Sequence, residues 1–357
     1  MIKHNKPTIG IEEQLSAKRV LESEWLSPGE NVRSFENEFS KYLGLENGSS
    51  ICISSGSAAM YLILSVLGYK NKKIVIPSYT CVALKNAVEL SGNSIECFDT
   101  KNNSFNICAQ KFDDSNLDFC ILPSMYGEIL SEKDYKTKNI LFDNCQSLGS
   151  KLNGKPIGSL SEISFYSFYS TKIITSGGHG GMIASKDKKL IKEIKDRIYF
   201  DEKIDSKQRF NFQMTDLQAS IGRVQLNRLD DLIDQRKKIY NRYLNNGIKL
   251  LNFNSPKDSK ETNFFRAILY ARNNKGLINY LNKKGVNAIN PLKFSELISK
   301  ESRMKNSINN TKNFISLPIF PDLTYRDVDK ISELINKYFN DFNSSSTSVH
   351  SMGRIDT

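Results

Sequence analysis

The clearest signal in this 357-residue chain is the stretch ISFYSFYSTKIITSGGHGGMIAS at residues 163–185. Two apolar runs, ISFYSF and GMIAS, flank Lys172 and a glycine-rich loop. Runs rich in β-branched and aromatic residues, bounded by Gly or Ser, predict buried strands. Lys172 would then follow a strand and precede a loop that lets the backbone approach a ligand closely. The alternative is a surface lysine beside a flexible hairpin, which is the commoner case for any single lysine.

The same pattern of apolar runs extends upstream to about residue 50. Further strands are predicted at ICIS (51–54), IVIP (74–77), IECF (95–98), FCILP (119–123) and ILFD (140–143). Helical stretches such as SAAMYLILSVLG and TCVALKNAVELSG lie between some of these runs. This alternation predicts an α/β domain with a mainly parallel sheet.

The remainder of the chain predicts a second, smaller domain. An apolar stripe from Met214 to Ile233 predicts one long helix. A segment rich in Asn, Gly, Pro and Ser follows it, and then come the strand FFRAILYA and two helical stretches. We expect a large domain over 1–245, a small C-terminal α+β domain over 246–342, and a disordered Ser-rich tail over 343–357.

Composition narrows the class of protein. Hydrophobic residues make up 39% and charged residues 25%, which is typical of globular chains. Neither an apolar run of about 18 residues nor an apolar N-terminal leader is found, so no membrane span or secretion signal is predicted and a cytoplasmic location is expected. With three histidines, and six cysteines without a CxxC pair, a metal site is not expected.

The formal net charge of +11 could favour an anionic partner. However, the lysines are spread along the whole chain, and no zinc-finger, RRM or helix-turn-helix signature accompanies them. We therefore expect no nucleic-acid partner.

Two further motifs follow predicted strands. Ser55-Gly56-Ser57-Ala58 stands between a strand and a helix, where free N–H groups bind phosphate well. Taken alone, the motif is better explained by a tight turn at Gly56 and a helix cap at Ser57. Asp143 ends the strand ILFD, where an acid could hold a protonated heterocyclic nitrogen or simply cap a turn. We call Ser55-Gly56-Ser57-Ala58 the phosphate cup. The phosphate cup, Asp143 and Lys172 occur along the chain in the order that pyridoxal phosphate requires in this kind of fold.

The chain resembles the DegT/DnrJ/EryC1/StrS family of sugar aminotransferases, of fold type I, from about residue 7 to 340. The resemblance is carried by blocks in the family's order, which are WLSPGENVRSFENEFSKYLG, SSGSAAMYLIL, VIPSYTCVALKNAVELSGNSIECFD, LFDNCQSLGS, YSFYSTKIITSGGHGGMI, NFQMTDLQASIGRVQL and ISLPIFPDLT. It implies that Lys172 holds pyridoxal 5'-phosphate as a Schiff base and moves the proton. Asp143 would pair with the pyridine nitrogen, and Gln146 would lie near the ring and its phenolic oxygen.

The resemblance also implies a phosphate site and a dimer. Gly56, Ser57, the Ala58 amide and Ser167 would bind the cofactor phosphate. Asn211 would reach the phosphate of the neighbouring subunit's cofactor, which implies a homodimer.

Several positions depart from the family pattern. Cys81 stands where an aromatic residue usually stacks on the cofactor ring, and Ser124 replaces a histidine. Gln213 replaces an arginine, GGHGG at 177–181 replaces a shorter GEGG, and PLKF at 291–294 lacks a histidine. These departures concern the residues that face the substrate.

The resemblance implies transfer of an amino group from L-glutamate to a nucleotide-linked keto sugar, expected to be a 6-deoxy sugar, for surface polysaccharide or glycoside biosynthesis. One alternative is a sugar dehydratase using the same cofactor, but dehydratases of this family carry histidine in place of the lysine. The other is a non-catalytic regulator, which has no need of Lys172, Asp143 and Gln146 together.

Overall fold

The computed structural model describes residues 1–102, 104–107, 119–130, 139–255 and 259–345. The strands are β1 (Ser50–Ile53), β2 (Lys73–Pro77), β3 (Ser94–Phe98), β4 (Phe119–Pro123), β5 (Ile140–Asp143), β6 (Lys151–Leu152), β7 (Lys155–Pro156), β8 (Ile163–Ser167), β9 (Gly181–Ser185), β10 (Lys260–Glu261), β11 (Ala267–Tyr270) and β12 (Phe314–Leu317). The α-helices are α1 (Ile11–Glu22), α2 (Glu30–Tyr42), α3 (Gly56–Val66), α4 (Val82–Leu90), α5 (Lys188–Ile198), α6 (Asp216–Asn227), α7 (Leu229–Asn245), α8 (Lys275–Lys283), α9 (Lys305–Asn313) and α10 (Tyr325–Ser345).

A seven-stranded sheet in the order β1-β9-β8-β5-β4-β2-β3 forms the centre of the fold. β8, β5, β4, β2 and β3 are parallel to one another, while β9 runs antiparallel to both β8 and β1. The predicted mainly parallel α/β sheet is confirmed, as is each strand predicted from residue 50 to 185. Helices cover the sheet, so its central strands are buried along their length and appear in the sequence as continuous apolar runs.

The prediction of one long helix after Met214 is wrong. α6 ends at Asn227 and α7 begins at Leu229, with Arg228 between them at φ −94° and ψ 5°. Leu226 and Leu229 are both buried on either side of this break. Because only one residue leaves the helical conformation, the apolar residues keep their helical spacing across it, and the periodicity of the sequence could not reveal the break.

A second sheet, formed by the antiparallel pair β11 and β12, packs with α7, α8 and α10. The predicted strand and helices of this part are therefore present. Its apolar cluster includes Ile239, Tyr240 and Tyr243 of α7, which lie before the expected domain boundary. The boundary at 245/246 stays a prediction.

The C-terminal helix α10 extends to Ser345, so it enters the segment expected to be a disordered tail at 343. The rest of that segment, 346–357, lies outside the described residues. Among the residues with described structure, no helix is both long and apolar enough to cross a bilayer. The same residues contain no cluster of three or more His, Cys, Asp or Glu side chains arranged for a metal ion.

Candidate active site

The sheet brings the predicted site residues to one edge. Pro123 of β4 pairs with Asp143 of β5, and Asp143 pairs with Phe165 of β8. The carboxyl ends of these parallel strands therefore lie side by side, which is where open α/β sheets bind ligands. Asp143 is the last residue of β5, Ser167 is the last of β8, and Lys172 follows in the connection to β9.

The Asp143 side chain is 7% exposed. Its Oδ1 accepts a hydrogen bond of 2.9 Å from the backbone amide of Cys145, so it does make the turn contact foreseen as the alternative. Burial raises the pKa of the Asp143 carboxyl, although the Cys145 hydrogen bonds and the charge of Lys172 oppose the shift. No ion pair of Asp143 is found within the described ranges. A protonated nitrogen placed beside it would stabilise the ionised carboxylate.

Lys172 is half-buried in the connection between β8 and β9. Its Nζ is 5.8 Å from the centre of the Phe265 ring, close to β11. In the part of the chain that the structure describes, no acidic side chain forms an ion pair with it. The surrounding connection is hydrogen-bonded to itself, with the amide of Ser170 donating to Gly178 at 3.0 Å and that of Ser176 to Phe168 at 3.2 Å. The environment is thus not that of a surface lysine beside a loose hairpin.

The predicted phosphate cup lies at the start of α3. Ser55 is the N-cap, and its Oγ accepts a hydrogen bond of 3.1 Å from the Ala58 amide. The interpretation of Ser57 as the cap is therefore wrong, since a cap bonds the third helical amide and Ser55 stands at the correct spacing. The Ala58 amide already has a partner, so the exposed Ser57 and the Gly56 amide are better placed than Ala58 to meet an anion.

Gly56 and Gly181 allow the segments around this cup to pack closely. A Cβ at Gly56 would lie 3.1 Å from Ser167 Cβ and 3.2 Å from Cys145 Sγ. A Cβ at Gly181 would lie 2.7 Å from the Ser55 carbonyl carbon and 2.9 Å from the Gly56 amide nitrogen. These separations leave no space for a side chain at Gly181.

Gln146 and Cys81 flank the same edge of the sheet. The Gln146 Oε1 accepts a hydrogen bond of 2.9 Å from the amide of Tyr126, beyond the end of β4. Cys81 is exposed and stands immediately before α4. Tyr79 and Tyr126 were not among the predicted site residues, yet their buried hydroxyls lie 3.2 Å apart at this edge. Both tyrosines follow closely after the ends of strands, β2 and β4, and this position could have indicated them as site residues.

Asn211 is exposed and lies before α6, which begins at Asp216 rather than beside Asn211. The flanking Phe210 and Phe212 pack on Tyr61, at 5.3 Å and 6.1 Å between ring centres. Because the two phenylalanines face inward, the intervening Asn211 lies on the outer surface. Within the described residues, no contact joins its side chain to Lys172 of the same chain.

Together these residues suit a cofactor with a phosphate, a basic ring nitrogen and an aldehyde. The glycine-lined cup can take the phosphate, the buried Asp143 the ring nitrogen, and the Lys172 amine the carbonyl carbon. The DegT/DnrJ/EryC1/StrS aminotransferase family matches residues 7–336. The chain belongs to this family. It is accordingly an aminotransferase that depends on pyridoxal phosphate.

This aminotransferase is 26% identical to GDP-perosamine synthase of Escherichia coli O157:H7, over 94% of the chain and 98% of the relative. It is also 26% identical to a dTDP-3-amino-3,6-dideoxy-alpha-D-galactopyranose transaminase of Aneurinibacillus thermoaerophilus, over 91% of the chain and 94% of the relative. Its fold matches the crystal structure of the aminotransferase TlmJ from Streptoalloteichus hindustanus with a TM-score of 0.87 and 20% identity, over 96% of this chain and 100% of that one. The fold is therefore that of a type I aminotransferase.

The departures from the family pattern have structural consequences. The Ser124 hydroxyl is buried and donates to Asn144 Oδ1 at 3.4 Å. The Gln213 Nε2 donates to the Ile198 carbonyl at 2.8 Å, so this side chain binds its own chain. In the glycine-rich loop, the His179 ring lies 5.3 Å from the Tyr169 ring and is exposed.

Proposed function

We propose that this aminotransferase transfers the amino group of L-glutamate to a nucleotide-linked keto sugar, most simply a 6-deoxy sugar, for polysaccharide or glycoside biosynthesis. The observation that carries the proposal is the pair formed by the half-buried Lys172 and the buried Asp143 at one sheet edge. The named relatives support the sugar, since one makes GDP-perosamine and the other forms a dTDP-linked 3-amino-3,6-dideoxy sugar. The two relatives differ in nucleotide, so the nucleotide stays open.

The chain's own residues divide the work. When bound, the cofactor supplies the electron sink that a reacting carbon needs. The Lys172 Nζ holds and delivers the proton at that carbon, because a neutral amine is both base and, once protonated, acid. The Asp143 carboxylate keeps a ring nitrogen protonated, and Gln146 borders the ring beside it. The amides of Gly56 and Ser57, with the Ser167 hydroxyl, bind the phosphate at the positive end of α3.

The competing functions are less well supported. A dehydratase of this family would have histidine at position 172, and this chain has lysine. A non-catalytic regulator would have no use for a buried carboxylate whose charge is disfavoured by burial.

The test uses the reconstituted holoenzyme and follows its absorption spectrum. Addition of L-glutamate alone should convert the cofactor to its amine form, and a nucleotide-linked keto sugar should reverse the change. Borohydride treatment followed by peptide mapping should find the cofactor attached to Lys172 and to no other lysine. A spectrum that L-glutamate leaves unchanged would refute glutamate as the donor, and reversal by non-sugar carbonyls alone would refute the sugar.

We also propose that the enzyme is a homodimer whose Asn211 reaches the partner's cofactor. Several large apolar side chains of the N-terminal segment are exposed, as expected of a surface that another chain covers. They are Ile11, Leu15, Leu21, Trp25 and Leu26. Mixing and refolding the variants Lys172→Ala and Asn211→Ala should raise activity above that of either alone, because one of the two sites in each C2 heterodimer would be intact, or about a quarter of all sites after random re-association. No recovery, or an active monomer by light scattering, would refute the shared site.

The cytoplasmic location remains part of this proposal. Fractionation of cells that express the chain, with the enzyme assayed in each fraction, would test it.

A further inference from the structure

Two arginines near the site, the buried Arg236 and the half-buried Arg266, have no acidic partner among the described residues. Arg236 of α7 is 2% exposed, and its Nη1 donates to the carbonyls of Ile319 at 3.2 Å and Phe265 at 3.4 Å. Arg266 immediately precedes β11. The Nε atom of each is buried and has no hydrogen-bond partner. Within the described ranges, neither guanidinium forms an ion pair with Asp or Glu.

This arrangement is electrostatically unfavourable as it stands. Burial lowers the pKa of both arginines, to about 9 for Arg236, where the charge of Arg266 adds to the effect of burial. A buried cation needs an opposite charge or a full set of acceptors, and here each has an unsatisfied donor. An anion beside the Arg266 guanidinium would supply the opposite charge.

His4 determines which edge of Arg266 remains available. Nη1 of Arg266 lies 3.0 Å from His4 Nδ1 and 3.2 Å from His4 Nε2, and His4 Nε2 lies 2.9 Å from Ser316 Oγ. Because a guanidinium only donates, the His4 ring must present an unprotonated nitrogen to it. Burial, followed by the charges of Arg266 and Arg236, lowers the pKa of His4 to about 2, so the imidazole is a neutral acceptor. Nη2 of Arg266 has no hydrogen-bond partner in the described chain, and unlike Nε it is accessible to solvent.

Arg266 and Lys172 lie at the same aromatic ring. The centre of the Phe265 ring is 5.1 Å from the Arg266 guanidinium carbon and 5.8 Å from Lys172 Nζ. The segment that carries His4 also touches the lysine's neighbour, because Asn5 Nδ2 donates to the Thr171 carbonyl at 2.9 Å. The Arg266 guanidinium and the Lys172 amine therefore border the same side chain, that of Phe265.

We infer that Arg266 binds the carboxylate of the amino-acid donor and that His4 is a positioning residue that orients its guanidinium. The inference rests on the proposed function. The donor's α-carboxylate is bonded to the carbon that carries the amine, so its binding site must lie next to Lys172. The diphosphate of a nucleotide sugar is separated from its reacting carbon by the sugar ring, so it reaches a more distant position. A planar guanidinium also matches a carboxylate better than an ammonium group does.

The test measures binding rather than turnover. 2-Oxoglutarate has the carboxylates of glutamate but no amine, so it binds the holoenzyme without reacting. Calorimetry should show binding to the wild type, and Arg266→Gln should weaken it about 10- to 100-fold, as expected for loss of a charged hydrogen bond. Arg266→Lys should bind with intermediate affinity. Arg272→Gln is the matched control, because Arg272 is exposed beyond the other end of β11 and its removal should change nothing.

The role of His4 has a separate readout. His4→Gln keeps an acceptor for Arg266 and should bind 2-oxoglutarate nearly as well as the wild type. His4→Leu should weaken this binding several-fold while cofactor occupancy, measured by absorbance, is unchanged. Equal weakening in both variants, or loss of cofactor in step with 2-oxoglutarate, would refute the positioning role.

The outcomes separate this inference from the proposed function. Wild-type affinity in Arg266→Gln, or no binding of 2-oxoglutarate by the wild type, would overturn the carboxylate site. Weakened binding of GDP, UDP or dTDP in Arg266→Gln, with unchanged binding of 2-oxoglutarate, would also overturn it by assigning the arginine to phosphate. If 2-oxoglutarate binding depends on Arg266 but L-glutamate does not change the holoenzyme spectrum, the site stands and the proposal of glutamate as amino donor fails.

Discussion

Gln146 and Tyr126 are joined by a hydrogen bond of 2.9 Å, from the Tyr126 amide to the Gln146 Oε1. Tyr126 adopts a left-handed backbone conformation with φ 56°, which is unfavourable for a bulky residue. The carbonyl of Gln146 in turn accepts a hydrogen bond of 2.9 Å from Asn263 Nδ2, close to β11. One glutamine thus connects the ends of β4 and β5 to the C-terminal part of the chain.

Replacing Gln146 should separate its structural role from its role at the cofactor. Gln146→Leu removes the acceptor and leaves the buried Tyr126 amide unpaired, which should lower the free energy of unfolding by about 1–3 kcal/mol. Gln146→Glu keeps an acceptor, so its apo form should unfold at nearly the wild-type urea concentration. Equal stability of the leucine and glutamate variants would show that the hydrogen bond is not needed.

Asp143→Asn should abolish most of the activity while preserving the fold. An amide cannot supply the negative charge that keeps a ring nitrogen protonated, so we expect turnover to fall at least about 100-fold. Steady-state assays with saturating cofactor measure this effect. Near-normal turnover would mean that Asp143 serves only the turn at Cys145.

The same substitution should stabilise the apo form in a pH-dependent manner. The folded-state pKa of Asp143 is raised, so ionisation of this carboxyl is unfavourable in the fold. The wild type therefore loses stability as pH rises from the unfolded-state pKa of about 4 through the higher folded-state value, and the asparagine variant does not. The apo variant should melt above the apo wild type at about pH 8, and the difference should shrink towards about pH 4. A constant difference at both pH values would contradict this account.

Gly181→Ala should damage the phosphate cup. A methyl group there would meet backbone atoms of Ser55 and Gly56 at 2.7 Å and 2.9 Å, which cannot yield as a flexible side chain can. We expect a loss of about 1–3 kcal/mol in unfolding free energy and weaker cofactor binding. Gly10→Ala is the control, because the nearest atom to its Cβ would be a side-chain oxygen at 3.4 Å. Equal melting temperatures for the two variants would contradict the prediction.

Cys81→Phe should tighten cofactor binding if the ring face is less covered in this chain than in its relatives. An aromatic contact adds about 0.5–1.5 kcal/mol, which corresponds to an affinity about 2- to 12-fold higher. Fluorescence titration of the apoenzyme with pyridoxal phosphate measures the change. Unchanged affinity would indicate that another side chain already covers the ring.

Local patterns were sufficient for the strands and for the order of the site residues. The runs ILFD and ISFYSF are apolar because the strands they form are buried on both faces, so their positions and ends could be predicted. The helix break at Arg228 could not be predicted, because the apolar spacing continues across it. Nor could the choice of Ser55 over Ser57 as the helix cap, since both are good capping residues and only the backbone path distinguishes them.

By itself, the sequence determined the α/β class, the family and the identity of Lys172 and Asp143 as candidate cofactor residues. Each depends on residue types at short separations along the chain, where local geometry follows from the period of the strand or helix. Only the tertiary structure brought His4 and Arg266 together across 262 positions of sequence. It also placed Arg266 and Lys172 at the same aromatic ring. Among the described residues it left both Arg266 and the buried Arg236 without a carboxylate partner. Contacts between distant segments depend on how the whole chain packs, and no local pattern encodes which charged side chain will lack a partner.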